Sequence, residues 1–155
     1  MKTRTIVMTV ALCLVAWAVC FASDDAHMGT WKLNEAKSKI APGAPKNTTV
    51  VYEAAGDKVK ATVDGVDGDG KPIHSEWTGN FDGKDYPVTG DPTSDTRSLK
   101  KVDDRTLVLT AKKDGKVTAT GRIVVSADGK SRTVTVTGTD SKGKKIKSIA
   151  VYDKQ

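Results

Sequence analysis

Beyond its first two dozen residues the sequence has no cysteine, since Cys13 and Cys20 are the only two. A chain trimmed of that start has no disulfide to form and no thiolate to act as nucleophile or metal ligand, so its stability has to come from packing. Histidine is nearly as scarce: there is His27, expected near a mobile N-terminus, and His74, on an outward strand face beside Lys71 and Glu76. Two histidines with no third ligand at motif spacing do not make a zinc site. There is also no Gly-x-Ser-x-Gly elbow, so the sequence reads as a non-enzyme with no cofactor and no metal. Aromatic residues make up 5% of the chain, and none is interleaved with lysines to stack bases, which argues against a nucleic-acid partner. After residue 22 no apolar run is long enough to cross a membrane as a helix. The outward strand faces carry Lys, Thr and Glu where an outer-membrane barrel needs an apolar band.

What the start does contain is an address. Lys2 and Arg4 precede an apolar run from Ile6 to Phe21 followed by small residues, the pattern of a secretory signal peptide over residues 1–22 with cleavage after Ala22. The expected location is secreted or periplasmic. A lipid anchor on Cys20 is the lesser alternative, because Val19 fits poorly where a lipoprotein needs a small residue. Residues 23–155 suit a single domain able to bury a real core. Without Lys2 and Arg4 the formal charge of +6 falls to +4, basic but mildly so, and the expected state is a monomer.

The remainder is organised by alternation. Leu99 to Leu109, Val117 to Val125, Thr133 to Thr137 and Ile146 to Tyr152 are period-two runs separated by Asp114-Gly115-Lys116, Asp128-Gly129-Lys130 and Ser141-Lys142-Gly143. Gly takes the positive φ that a tight hairpin turn demands, so these runs read as an antiparallel meander. Upstream, Gly29 to Leu33, Thr48 to Ala54, Lys58 to Asp64, Ile73 to Phe81 and Tyr86 to Val88 read as further strands, with one helical turn over Asn34 to Ser38. Nine or ten short strands joined by tight turns favour closure, so the expected fold is all-β: an antiparallel up-and-down barrel of about eight to ten strands. A two-sheet sandwich is the competitor, disfavoured by the next-neighbour hairpins. The expected inward set is Trp77, Phe81, Leu107, Leu109, Val117, Ile123, Val134, Val136 and Tyr152. Gly79, Gly121 and Gly138 are candidate bending points.

The pentapeptide Gly29-Thr30-Trp31-Lys32-Leu33, the meander and the terminal Val151-Tyr152-Asp153-Lys154 resemble the calycin superfamily of lipocalins and fatty-acid-binding proteins. Together with Asn34, Lys37, Ser38, Pro42-Gly43, Pro45-Lys46 and Phe81 to Pro87, they resemble small secreted bacterial lipocalin-like proteins. The resemblance implies structural roles for Gly29 and Trp31, with the Trp at the closed end of the barrel beneath a basic side chain near the last strand. Fatty-acid-binding proteins hold a carboxylate with an Arg two residues before a Tyr on the final strand. Here that Tyr is Tyr152, and Ala150 occupies the Arg position.

A barrel of this size holds a ligand only if small inward residues leave room. Ala61, Ser75, Ala111, Ala119, Ser148 and Ala150 predict such room. The expected function is therefore a secreted lipocalin-like protein binding a small hydrophobic or amphipathic molecule in the barrel, with Trp77, Phe81 and Tyr152 as candidate ligand contacts. Tyr152 would supply a polar group, against the plainer reading of a core Tyr bonded to backbone. The runner-up is a structural or interaction module of the cell envelope, with no internal ligand, using Lys112, Lys113, Lys116, Lys142, Lys144, Lys145 and Lys147 to contact an anionic surface weakly. Two local patterns carry less. Gly65 to Glu76 nearly fits a calcium loop, but lacks the first ligand and reads better as a solvated hairpin. Asn47-Thr48-Thr49 is formally a glycosylation acceptor.

Overall fold

The computed structural model describes residues 25–140 and 142–155; the signal-peptide reading and Cys20 lie outside them. Ten strands follow one another: β1 Gly29–Leu33, β2 Lys46–Ala55, β3 Lys58–Val66, β4 Pro72–Gly79, β5 Tyr86–Thr89, β6 Thr96–Asp103, β7 Thr106–Lys113, β8 Lys116–Val125, β9 Ser131–Thr139 and β10 Lys145–Lys154. Each pairs antiparallel with its sequence neighbours, and β1 closes the ring by pairing with both β2 and β10. The fold is a closed antiparallel up-and-down β-barrel. Among the described strands closure leaves no unpaired sheet edge. The expected helical turn is a 3-10 turn over Glu35–Lys37, where the Asn34 side chain accepts a hydrogen bond from the Lys37 N–H.

The turns show why the glycines sit where they do. At the β7–β8 hairpin both Asp114 (φ 50°) and Gly115 (φ 75°) have positive φ, as a two-residue primed turn requires. The β3–β4 and β9–β10 turns use a longer frame. In each, an Asp (Asp67 or Asp140) directs Oδ1 at two N–H groups of its own loop, those of Asp69 and Lys71 or of Lys142 and Lys144. The Asp67 carboxylate of the near-calcium pattern is thus engaged in closing its hairpin.

Between Leu99 and Val125 two sequence expectations need correction. Leu99 to Leu109 is not one run: a turn at Asp104-Arg105 splits it into β6 and β7. No Gly marks this turn, because the Asp103 carboxylate accepts the Arg105 N–H at 2.9 Å and does the turning instead. Val117 is not inward but 57% exposed. Pairing shifts between Ala111–Ala119 and Lys112–Val117, leaving Thr118 as the extra residue of a β-bulge. One inserted residue reverses the parity of everything before it, which turns Val117 outward.

Elsewhere the alternation holds. Trp77, Leu107, Ile123 and Tyr152 are buried, and Phe81, Leu109 and Val134 pack against the core. Strand β4 stops at Gly79, so Phe81 reaches the core from the loop beyond it. A Cβ on Gly79 would lie 2.5 Å from the Tyr86 ring and 2.6 Å from that of Trp77. Only Gly lets the two aromatic rings close over that strand end.

Candidate ligand-binding cavity

The two ends of the barrel are built from different side chains. At the closed end the chain enters through residues 25–28, which fold across the opening. The Asp25 carboxylate pairs with Lys101 at 2.8 Å, the His27 carbonyl accepts the Trp31 indole N–H at 2.9 Å, and the Met28 N–H donates to the Asp25 carbonyl. His27 is therefore not at a mobile terminus but fully buried, edge-on to Phe81 with ring centroids 6.0 Å apart. Among the described residues neither imidazole nitrogen has a hydrogen-bond partner. Burial holds its pKa down at about 4, outweighing the pull of Asp25, and Arg132 and Lys101 add to the depression. Phe81 also stacks parallel to Trp77 at 6.4 Å and meets Tyr52 edge-on at 6.2 Å. The Trp77 indole N–H donates to the Arg97 carbonyl at 2.9 Å.

Trp31 is fully buried, with basic side chains over its ring. Lys154 at the end of β10 is 5.2 Å from its ring centre and the Arg132 guanidinium 4.8 Å. Gly29, beside it on β1, has φ 103° and a Lys154 carbon 3.1 Å from where a Cβ would stand. A side chain there would be strained and would crowd the lysine that covers Trp31.

Arg132 is the functional candidate that the sequence reading passed over. It is 2% exposed, and its guanidinium stands 5.2 Å from the Tyr52 ring centre and 5.0 Å from that of Tyr152, besides Trp31. Among the described residues no carboxylate pairs with it, and its Nε and Nη1 have no hydrogen-bond partner. Burial lowers its pKa, opposed by the Tyr52 and Tyr152 side chains. A guanidinium nonetheless keeps its proton in proteins. The signal for Arg132 was parity: it precedes Val134, Val136 and Gly138 on one face of β9.

Above Arg132 the interior opens into a cavity of about 200 Å³. Its wall is formed by apolar residues such as Val50, Leu109 and Val136, and by small ones, Ser75, Ala111, Ala119, Ser148 and Ala150 among them. These five are small inward residues on which room was predicted; the sixth, Ala61, is buried away from the cavity. Its mouth lies among Ile40, Pro45, Thr93 and Thr139, at the end bearing the β3–β4, β7–β8 and β9–β10 turns. There Asp91 receives the Thr93 and Ser94 hydroxyls and pairs with Arg97 at 3.0 Å. Those bonds outweigh burial and hold its carboxyl below the usual range.

Of the three candidate ligand contacts, the structure brings only Tyr152 to the cavity. Trp77 and Phe81 do not line it; their size fills the closed end instead. The Tyr152 hydroxyl donates to the Asn47 carbonyl at 3.0 Å, and burial raises its pKa to about 12. Its one donor is spent on backbone, so toward a ligand it can only accept. His74 is outward as expected, 2.6 Å from Asp64 and exposed. Among the described residues no group of three or more His, Cys, Asp or Glu could hold a metal ion.

No family model matches the sequence, and no curated protein matches it. Among solved structures the chain is similar to a redesigned β-barrel, mFAP1, bound to DFHBI, with 17% sequence identity and a TM-score of 0.47 over 86% of this chain and 99% of that one.

Proposed function

We propose that this protein is a lipocalin-like binding protein, not an enzyme, which carries one small hydrophobic or amphipathic molecule inside its barrel after export from the cytoplasm. The observation that carries the reading is the cavity of about 200 Å³, with a mainly apolar wall, inside an otherwise closed barrel. A void of about 150 Å³ lined by apolar side chains is enough to take up benzene, so this one suits a single ring or a short chain. Burying the apolar surface of such a molecule supplies the driving force, and a few polar groups orient it. The sequence of residues 1–22 supports the exported location.

Native mass spectrometry of the protein purified from its own cells, with titration of a one-ring fluorogenic probe, tests this reading. A co-purifying small molecule, or probe uptake that changes little with salt, is the expected result. With neither, the runner-up stands: a module contacting anionic surfaces through lysines such as Lys112, Lys116 and Lys144. Its mark would be vesicle binding that falls steeply toward physiological ionic strength.

A further inference from the structure

We propose that Asn47 selects the ligand of the cavity, and that the group it selects is a neutral carboxamide or lactam carried on one ring or a short apolar chain. This rests on the cavity-binding reading and names the polar end of its ligand. Asn47 reaches the interior through a break in the strand pattern. Val50 and Tyr52 are the buried positions of β2, so unbroken alternation would give the inner face to Thr48 and turn Asn47 outward. The pairing with β3 instead steps from Thr49–Asp64 to Asn47–Gly65, which leaves Thr48 as the extra residue of a β-bulge. One extra residue reverses the parity. Gly65 follows Ala61 and Val63 on the inner face of β3 and pairs with Ile73 of β4, so Asn47, Gly65 and Ile73 form one inward row. Both Asn47 and Ile73 line the cavity.

The bulge is held from both strands. The Thr48 hydroxyl donates to the Asp64 carbonyl at 3.1 Å. Opposite it, a Cβ on Gly65 would stand 2.3 Å from the Lys46 carbonyl oxygen and 2.8 Å from the Asn47 Cα, so only Gly lets β3 come this close. Two residues thus fix a break whose effect is to aim one polar side chain into a chamber with a mainly apolar wall, which is the use that binding sites make of bulges. The Asn47 backbone carbonyl is taken by the Tyr152 hydroxyl. Its side-chain amide has no hydrogen-bond partner among the described residues and, unlike Nε and Nη1 of Arg132, is not sealed off by packing.

The chemistry of that amide sets the ligand class. It presents donors and an acceptor side by side, and the neutral group that satisfies both at once is another amide. Asp91 and Arg97 at the mouth do not redirect the choice, because they pair with each other at 3.0 Å and offer no net charge. The formal glycosylation acceptor Asn47-Thr48-Thr49 therefore has its Asn on the inner face, where the side chain serves the cavity.

Calorimetric titration of the purified protein with benzamide and with acetophenone tests the assignment. The two have nearly the same shape and both carry a carbonyl, but only benzamide also brings N–H groups, so the ratio of their affinities isolates the N–H contribution. Asn47→Leu should lower the benzamide-to-acetophenone affinity ratio by about tenfold or more, because the N–H groups of benzamide are then buried without an acceptor. Asn47→Ala repeats the test without added bulk should Asn47→Leu fail to fold. Gly65→Ala leaves the amide itself intact but displaces it, and should move the ratio in the same direction. A ratio that stays within about twofold of the parent's in both Asn47 variants, less than one hydrogen bond is worth, would overturn the role of Asn47 and leave the cavity reading standing. No binding of either molecule to the parent protein would overturn both.

Discussion

The two halves of the barrel interior share one backbone plan and differ in side-chain size. Toward the closed end the inward positions carry Trp31, Tyr52, Trp77 and Tyr152, with Phe81 and His27 added from loops, and the space is filled. Toward the mouth the same alternation presents Ser75, Ala111, Ala119 and Ser148, and about 200 Å³ stays open. Period-two patterning therefore specifies the wall, while the volume of each inward residue decides whether the wall encloses a core or a chamber. Packed side-chain volume is concentrated in one half and open volume in the other.

The largest test of that division strikes the filled half. Trp77→Ala removes a side chain 2% exposed and stacked on Phe81. It should cost about 3–5 kcal/mol in chemical denaturation. A loss under about 1 kcal/mol would mean that the closed end is not where the fold is held.

Next comes acid. His27 is neutral when folded, with its pKa near 4, while in the unfolded chain it protonates near 6.5. Below pH 6.5 the unfolded state binds more protons, so stability should fall as pH drops from about 6.5 and the loss should level off below about 4. The shift corresponds to at most about 3 kcal/mol. Denaturation midpoints measured across that window should slope in the parent and flatten in His27→Leu. His74 acts in the opposite sense: its hydrogen bond to Asp64 raises its pKa, so its contribution is present below pH 6.5 and fades as pH rises through the folded value. A profile that stays flat in the parent would separate His27 from the packed end.

The smallest effect on stability belongs to the open half. Ala119→Leu adds bulk where the wall faces empty space, so stability should change by no more than about 1 kcal/mol, while uptake of a one-ring probe should drop tenfold or more. Overpacking of a filled core would instead cost about 1–3 kcal/mol. A destabilisation of that size, or unchanged uptake, would show that no chamber lies at Ala119.

Much of this was legible in the sequence. The alternations, the Asp-Gly hairpin at Asp114-Gly115 and the small residues of the chamber all follow from one-residue properties repeated at fixed spacing. What escaped depended on partners. The Asp104-Arg105 turn is made by a carboxylate taking the place of a glycine, so its signal is a hydrogen bond and not a residue type. Val117 faces outward because the extra residue, Thr118, is defined only by what Ala111 and Lys112 pair with across the hairpin. Composition near the start suggested a loose end for His27, but the contacts with Trp31 and Lys101 that bury its segment come from β1 and β6. Arg132 was within reach of parity alone. It was missed because a charged residue is ordinarily assigned to the outside.

Closure of the ring by β1 has a kinetic side. Every other strand pair joins sequence neighbours and can form as a local hairpin, but Trp31 must find Lys154, and Leu33 must find Tyr152, across nearly the whole folded chain. Contacts of that separation are slow to form because the loop entropy is lost before the pairing compensates for it. During synthesis β1 emerges first and has its second partner only when β10 has been made. Until then β1 and the growing end of the sheet both present open edges, the surface on which β chains aggregate. The interval between making the first strand and the last is thus the period in which this barrel most needs to be kept from its neighbours.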